Sequence, residues 1–137
     1  MSYLVDTDWV ADYLKGRDAA FRLFETLAPS GIAVSIVTYT EIYEGVYFGT
    51  NPTRHEAVFR QFLQGVRVIG INQAVARRAA RVRGTLRRQG QSIGQHDTLI
   101  AATALQHRLV LVTRNVGHFE RVEGLRLHRF DATERLT

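Results

Sequence analysis

Short apolar runs, each broken off by polar residues and separated by helix-patterned sequence, constrain this chain's fold more than any other feature. Tyr3-Leu4-Val5 stops at Asp6, Ile32-Ala33-Val34 forms a second run, Val66 to Ile71 carries a β-rich pattern, and Leu109-Val110-Leu111-Val112 ends at Thr113-Arg114-Asn115. Between them, helical spacing runs from Thr7 through Leu14 to a stop at Gly16, from Asp18 to Leu27 before Pro29, from Thr38 to Phe48 before Gly49, and from His55 to Leu63 after an Asn51-Pro52 loop. Asn72 is a good cap for a long helix from Gln73 to about Arg88, Gly90 and Gly94 bracket a turn, and Asp97 to Gln106 forms another helix. A last short strand is expected over Leu125 to His128. Strands alternating with helices predict an α/β sandwich around a mainly parallel sheet.

Length and composition narrow the class further. The 137 residues, 45% apolar and with two prolines, fit one domain over 1–137, with no repeat, linker or low-complexity tract. A chain of this size removes roughly two-thirds of its unfolded surface on folding, so neither a metal nor a disulfide is needed to hold it together. The absence of cysteine excludes a disulfide scaffold, a thiolate zinc site and a cysteine nucleophile, and a reducing cytoplasm is the expected compartment. The first fifteen residues contain three aspartates and do not read as a signal peptide. The longest uncharged run, Thr26 to Thr40, is interrupted by Pro29 and Gly31 and falls short of the ~20 apolar residues of a membrane span.

Charge is unevenly placed. The net charge is +5, and Lys15 is the only lysine among eighteen basic residues. Between Glu56 and Asp97 there is no acid, whereas Arg60, Arg67, Arg77, Arg78, Arg81, Arg83, Arg87 and Arg88 fall inside that window. Arginine's planar fork suits phosphate, so the asymmetry points to a polyanion. In the helix from Gln73 to Arg88, Val75, Ala79, Val82 and Leu86 share one face and Arg77, Arg81 and Arg88 fall opposite. Such a face is either a solvated exterior or an RNA track.

In a parallel sheet the ligand crevice lies beyond the carboxyl ends of the strands. Asp6 and Asn115 follow strand runs, Glu41 lies one turn into the helix after the second strand, and Asp97 opens a helix after a glycine-flanked loop. Each acid also has a structural explanation: Asp6 as a helix cap, Thr38-x-x-Glu41 as a capping box, Asp97 as a complement to a helix dipole. Carboxylates gathered within ~4 Å repel by a few kcal/mol at an effective dielectric near 20, a penalty that a divalent cation removes. Oxygen ligands without cysteine select Mg2+ or Mn2+, ions that activate water for attack on a phosphodiester. A basic surface beside such a pocket points to a nuclease.

The segments YLVDTDWVADYLKG, TYTEIYEGV and IGQHDTLIAATALQHRLVLVTRNVGHFERVEGL resemble the PIN-domain ribonucleases, specifically the VapC toxins of type II toxin-antitoxin systems, over nearly the whole chain. The most specific part is G-x-x-D-x-x-I-A-A-x-A, then a strand, then T-R-N-x-x-x-F. The resemblance implies a three-layer α/β/α sandwich and a cytoplasmic Mg2+-dependent endoribonuclease in which Mn2+ substitutes. It also implies silencing by a cognate antitoxin, a homodimer and a groove for the antitoxin's C-terminal segment. By position, Asp6, Glu41 and Asp97 match the family's three acids, Asp6 and Asp97 as direct metal ligands and Glu41 as a ligand or water-positioning partner. Thr7 and Thr113 match its supporting hydroxyls. Where members carry a fourth acid, this chain has Asn115 and His118, either of which can stand in for it. Arg114 is a candidate phosphate contact.

Other polar and aromatic residues carry less. His55, His96, His107, His118 and His128 have no zinc spacing, and a structural role is preferred for His96. Tyr39, Tyr43, Tyr47, Phe48, Phe59 and Phe62 are expected mostly in the core, with any surplus forming a partner groove. Two other functions compete. Asp6-Thr7-Asp8 also resembles the D-x-D nucleophile of haloacid-dehalogenase phosphatases, but the later lysine and paired acids of that pattern are missing. A catalytically weakened RNA-binding or interaction module is the non-enzymatic alternative.

Overall fold

The computed structural model describes residues 2–129, and Met1 and 130–137 lie outside them. Four strands, β1 (Tyr3–Val5), β2 (Ile32–Ser35), β3 (Val66–Ile69) and β4 (Val110–Val112), form one sheet in the order β3-β2-β1-β4, every pair parallel. Seven helices surround it: α1 (Thr7–Leu14), α2 (Asp18–Leu27), α3 (Ile36–Tyr47), α4 (Pro52–Leu63), α5 (Gln73–Arg88), α6 (Gln95–His107) and α7 (Val116–Phe119).

The register explains why the strands are apolar at consecutive positions. Leu4 stands beside Ala33 on one side and Leu111 on the other, and these three face a core shared with Leu86, Ile100, Ala101, Ala104 and Phe119. Side chains alternate along a strand, so Val5, Val34 and Val112 point the other way, into a core built from α1 to α4 with Trp9, Leu23, Phe24, Ile42 and Phe59. The result is the expected three-layer α/β/α sandwich. Ala101 and Ala104 of α6 are fully buried in the first of these cores, and Ala102 packs on Val75 and Ala79 of α5.

Helix starts follow local chemistry, with three departures from the sequence reading, one of them α6, which begins at Gln95 after Gly94 rather than at Asp97. The capping box expected at Thr38 does not form: α3 begins at Ile36, and the buried hydroxyl of Ser35 accepts the amide of Val37 at 3.0 Å. Serine directly after an apolar strand is the stronger cap, and the earlier start leaves Thr38 and Glu41 free inside the helix. Helix α4 likewise starts earlier, with Asn51 as cap and Pro52 in the first turn, where its missing N–H is no loss. At the C-terminal edge, the strand expected over Leu125 to His128 is reduced to one parallel bridge between Leu111 and Leu127. Gly124, at φ +82°, turns the chain immediately before it and leaves only a short length to pair.

Candidate functional site

The strand order places a switch point between β1 and β4, because the chain builds outward from β1 to β2 and β3 and then returns to the opposite side of β1. Ligand crevices of open parallel sheets form there. Asp6 ends β1 and Thr113 ends β4, so the two meet at this point, and the Thr113 hydroxyl donates to Asp6 Oδ2 at 2.7 Å. The other Asp6 oxygen accepts the Thr7 amide at 2.7 Å. Asp6 is therefore both the N-cap of α1 and the centre of the crevice.

The remaining candidates close a circuit around it. The Thr7 hydroxyl donates to Glu41 Oε1 at 2.8 Å and lies 3.0 Å from Thr38 Oγ1. Glu41 Oε2 stands 3.6 Å from His96 Nδ1, and His96 precedes Asp97 in the first turn of α6. Asp97 Oδ2 lies 3.4 Å from Asn115 Nδ2 and 3.2 Å from His118 Nδ1, while these two side chains are 2.8 Å apart. The Asn115 amide then donates to Thr113 Oγ1 at 3.0 Å, which returns the circuit to Asp6. Residues 6, 7, 41, 97, 113, 115 and 118, drawn from four helices and the segments that follow β1 and β4, thus occupy one crevice. Asn115 and His118 share Asp97 rather than one of them excluding the other, because α7 brings their positions onto the same turn.

Asp6 carries the electrostatic strain of this arrangement. Only 7% of it is exposed, and burial pushes its carboxyl from the usual 3.8 up to about 7. The charges of Asp8 and, less strongly, Asp97 add to the rise, and the hydrogen bonds from Thr113 and Thr7 oppose it. Asp8 is also raised, first by burial, but it is held by amides: Trp9 donates to Oδ1 at 2.7 Å and Arg114 to Oδ2 at 2.9 Å. Those contacts tie α1 to the end of β4 and leave Asp8 as a structural acid, not the proton donor of a D-x-D pair.

The side chain of Arg114, the candidate phosphate contact, has two protein partners in this structure. Its guanidinium pairs with Asp12 and lies 3.8 Å above the Trp9 ring, a cation–π contact that fastens β4 to α1. Two neighbours of the site carried only weak sequence signals: Thr38, assigned to a cap, and His96, assigned a structural role.

Among the described residues no three His, Cys, Asp or Glu side chains gather tightly enough to enclose an ion unaided. Mg2+ needs fewer, since it keeps several waters and is usually held by one or two carboxylates together with substrate phosphates. Asp6 and Asp97 supply hard oxygen donors, and burial, then the charge of Asp8 and last that of Asp97, disfavour ionisation at Asp6, a condition that a divalent cation relieves. The donor chemistry fits such an ion.

Fold and crevice together define an α/β domain with an acid-lined site at its switch point, and the family model that matches is the PIN domain, over residues 3–125. The tRNA(fMet)-specific endonuclease VapC of Shigella flexneri is 32% identical over 126 residues, which cover 92% of this chain and 96% of the relative. Among solved structures, VapBC2 from Rickettsia felis bound to a DNA fragment from their promoter matches with a TM-score of 0.88 at 27% identity, over 96% of this chain and 100% of that one. DNA-bound VapBC from Salmonella typhimurium matches with a TM-score of 0.86 at 27% identity, over 93% and 97%. The chain belongs to the PIN-domain family and, within it, to the VapC group.

Proposed function

We propose that this chain is a Mg2+-dependent endoribonuclease, with Mn2+ able to substitute, and the toxin of a type II toxin-antitoxin pair. The observation that carries the reading is the circuit Asp6–Thr113–Asn115–Asp97 and Thr7–Glu41–His96 at the β1/β4 switch point. The relatives' names, endonuclease and ribonuclease VapC, support an RNA phosphodiester as substrate. The solved neighbours, toxin–antitoxin complexes, support an antitoxin partner.

In this reading Asp6 and Asp97 would hold the cation together with water and substrate phosphate, and Glu41, the expected third ligand or water-positioning group, would position water. When bound, the ion supplies neutralisation of charge on the phosphoryl oxygens and lowers the pKa of water. The chain's own residues preorganise the site. Thr113 and the Thr7 amide fix both oxygens of Asp6, the Thr7 hydroxyl fixes Glu41, and Asn115 and His118 bracket Asp97. A water attacks phosphorus in line as the bond to one ribose oxygen breaks, that oxygen leaves and takes a proton to become a hydroxyl, and no covalent enzyme intermediate forms. The nucleophile is external, so the RNA 2′-hydroxyl takes no part. Mapping the ends of a cleaved labelled RNA checks this: products without 2′,3′-cyclic phosphate are expected, and cyclic ends would overturn the mechanism.

The presence of Asn115 and His118 where a fourth acid is common in the family favours one alternative, a binding module with weakened catalysis. Its mark is RNA affinity insensitive to chelator, with no cleavage by folded protein in Mg2+ or Mn2+.

A further inference from the structure

Away from the acidic crevice, α5 carries Arg77, Arg78, Arg81, Arg83, Arg87 and Arg88, and all six are exposed. None of them forms an ion pair among the described residues; the one polar contact recorded for their side chains is Arg78 Nε to Gln106 Oε1 at 3.4 Å. A helix that needed only a solvated exterior would gain by placing acids three or four residues from these arginines. This one instead sets like charges at 77/81, 78/81 and 83/87, each pair opposing the helix by a few tenths of a kcal/mol.

The arginines are not merely scattered over a convex surface. Arg78, Arg81, Thr85 and Gln89 form one stripe along α5, and Arg121 faces them across a cleft of about 170 Å3 whose floor is Val82, Leu86, Leu105 and Val122. Glu123 is the one acid at the rim. Arg121 also donates to the carbonyls of Gln91 and Ser92 at 3.4 Å. That segment runs directly from the end of α5 into the first turn of α6, which carries Asp97. Arg121 therefore ties the cleft to the loop that leads into α6, while Leu105 and the Gln106 partner of Arg78 stand at the other end of that helix.

We propose that this cleft and the α5 arginine face bind the phosphate backbone of the RNA away from the position being cut, with Arg78, Arg81 and Arg121 on phosphates and the apolar floor beneath an unstacked base or ribose. The proposal rests on RNA being the substrate. Charge complementarity selects the occupant: arginine forks match phosphate, and an apolar floor under a cationic rim suits a single-stranded segment rather than a regular duplex. At about 1.5 Å per residue, α5 is roughly 24 Å long, enough to follow several successive phosphates.

The experiment is anisotropy of a labelled RNA hairpin against full-length Asp97→Asn protein, with and without Arg78→Gln/Arg81→Gln/Arg121→Gln, over a potassium chloride series. An equal charge change at Arg17→Gln/Arg22→Gln/Arg54→Gln, all exposed and outside the cleft, is the comparison. The cleft variant is expected to lose about tenfold or more in affinity and about two units of salt slope, at about 0.7 per phosphate contact on a single strand. Lysine at the same three positions should restore most of the binding, and the comparison variant should change little. Equal losses in both triple variants would reduce the effect to net charge and overturn the proposal. So would unchanged RNA binding, or a loss seen only with duplex DNA or an acidic protein partner. Thermal melts read whether each variant is folded. Continued cutting by the Asp97→Asn protein would instead strike at the nuclease site and leave the binding comparison readable.

Discussion

Asp6 shows what the site demands of a single residue. A carboxyl pushed up to about 7 by burial opposes folding once it ionises, because the folded state holds its proton more tightly than the unfolded chain. The sign follows from the direction of the shift: metal-free protein is at its best with respect to this group below about pH 4, and loses stability as pH rises towards 7. At about 1.4 kcal/mol per unit, the shift corresponds to about 4 kcal/mol. Metal-free wild type should therefore lose melting temperature between pH 5 and pH 8 more steeply than Asp6→Asn does; equal slopes would place the burden elsewhere. A divalent cation prefers the ionised form, so its affinity should climb as pH rises through about 7, with proton release measurable by calorimetry in buffers of different ionisation enthalpy. Thr7 makes a related case. Its amide and hydroxyl touch two different acids, so Thr7→Val should keep the fold and reduce cleavage by about tenfold to a hundredfold through loss of Glu41 positioning.

Helices and strands were legible in the sequence wherever pattern alone decided them. The four consecutive-apolar runs became the four parallel strands, and the arginine-rich helix began at its expected cap, Asn72, whose side chain accepts the Val75 amide at 2.9 Å. What escaped was settled by competition between neighbours. Ser35 outcompetes Thr38 for the start of α3 because it sits where the strand ends, a difference of three residues that local propensity does not resolve. The engagement of Arg114 by Asp12 and Trp9 depends on contacts across about a hundred residues of sequence and has no local signature. The joint hold of Asn115 and His118 on Asp97 needed the turn of α7, too short to show periodicity. Two predictions belong to this scale. Ser35→Ala should destabilise the protein by about 0.5–2 kcal/mol through loss of the α3 cap, read as a lower denaturant midpoint at unchanged slope. Arg108 closes α6 at φ 56°, a left-handed conformation that a non-glycine residue adopts at some expense, so Arg108→Gly should stabilise by about 0.5–1 kcal/mol.

At the scale of the molecule, a rigid three-layer sandwich holds a crevice whose acids come from parts of the chain far apart in sequence. Leu111 is central to both, being fully buried between Leu4 and the α6 layer, two residues before Thr113 at the end of β4. Leu111→Ala should cost about 2–5 kcal/mol and loosen the approach of Thr113 to Asp6. No helix among the described residues is long and apolar enough to cross a membrane. In the proposed function the two charged regions would divide the work: an acidic crevice for the cation and the scissile phosphate, an arginine face for more distant RNA backbone. The most direct measurement is cleavage of one labelled structured RNA by purified, partner-free protein as Mg2+ or Mn2+ is added, with EDTA and Asp97→Asn run beside it. Cutting that rises with metal and disappears in both blanks, while Asp97→Asn keeps the wild-type melting behaviour, is the expected result. Undiminished cutting in EDTA or by Asp97→Asn would contradict a metal-dependent nuclease at this crevice, as would no cutting by folded, metal-supplied wild type across a broad RNA panel.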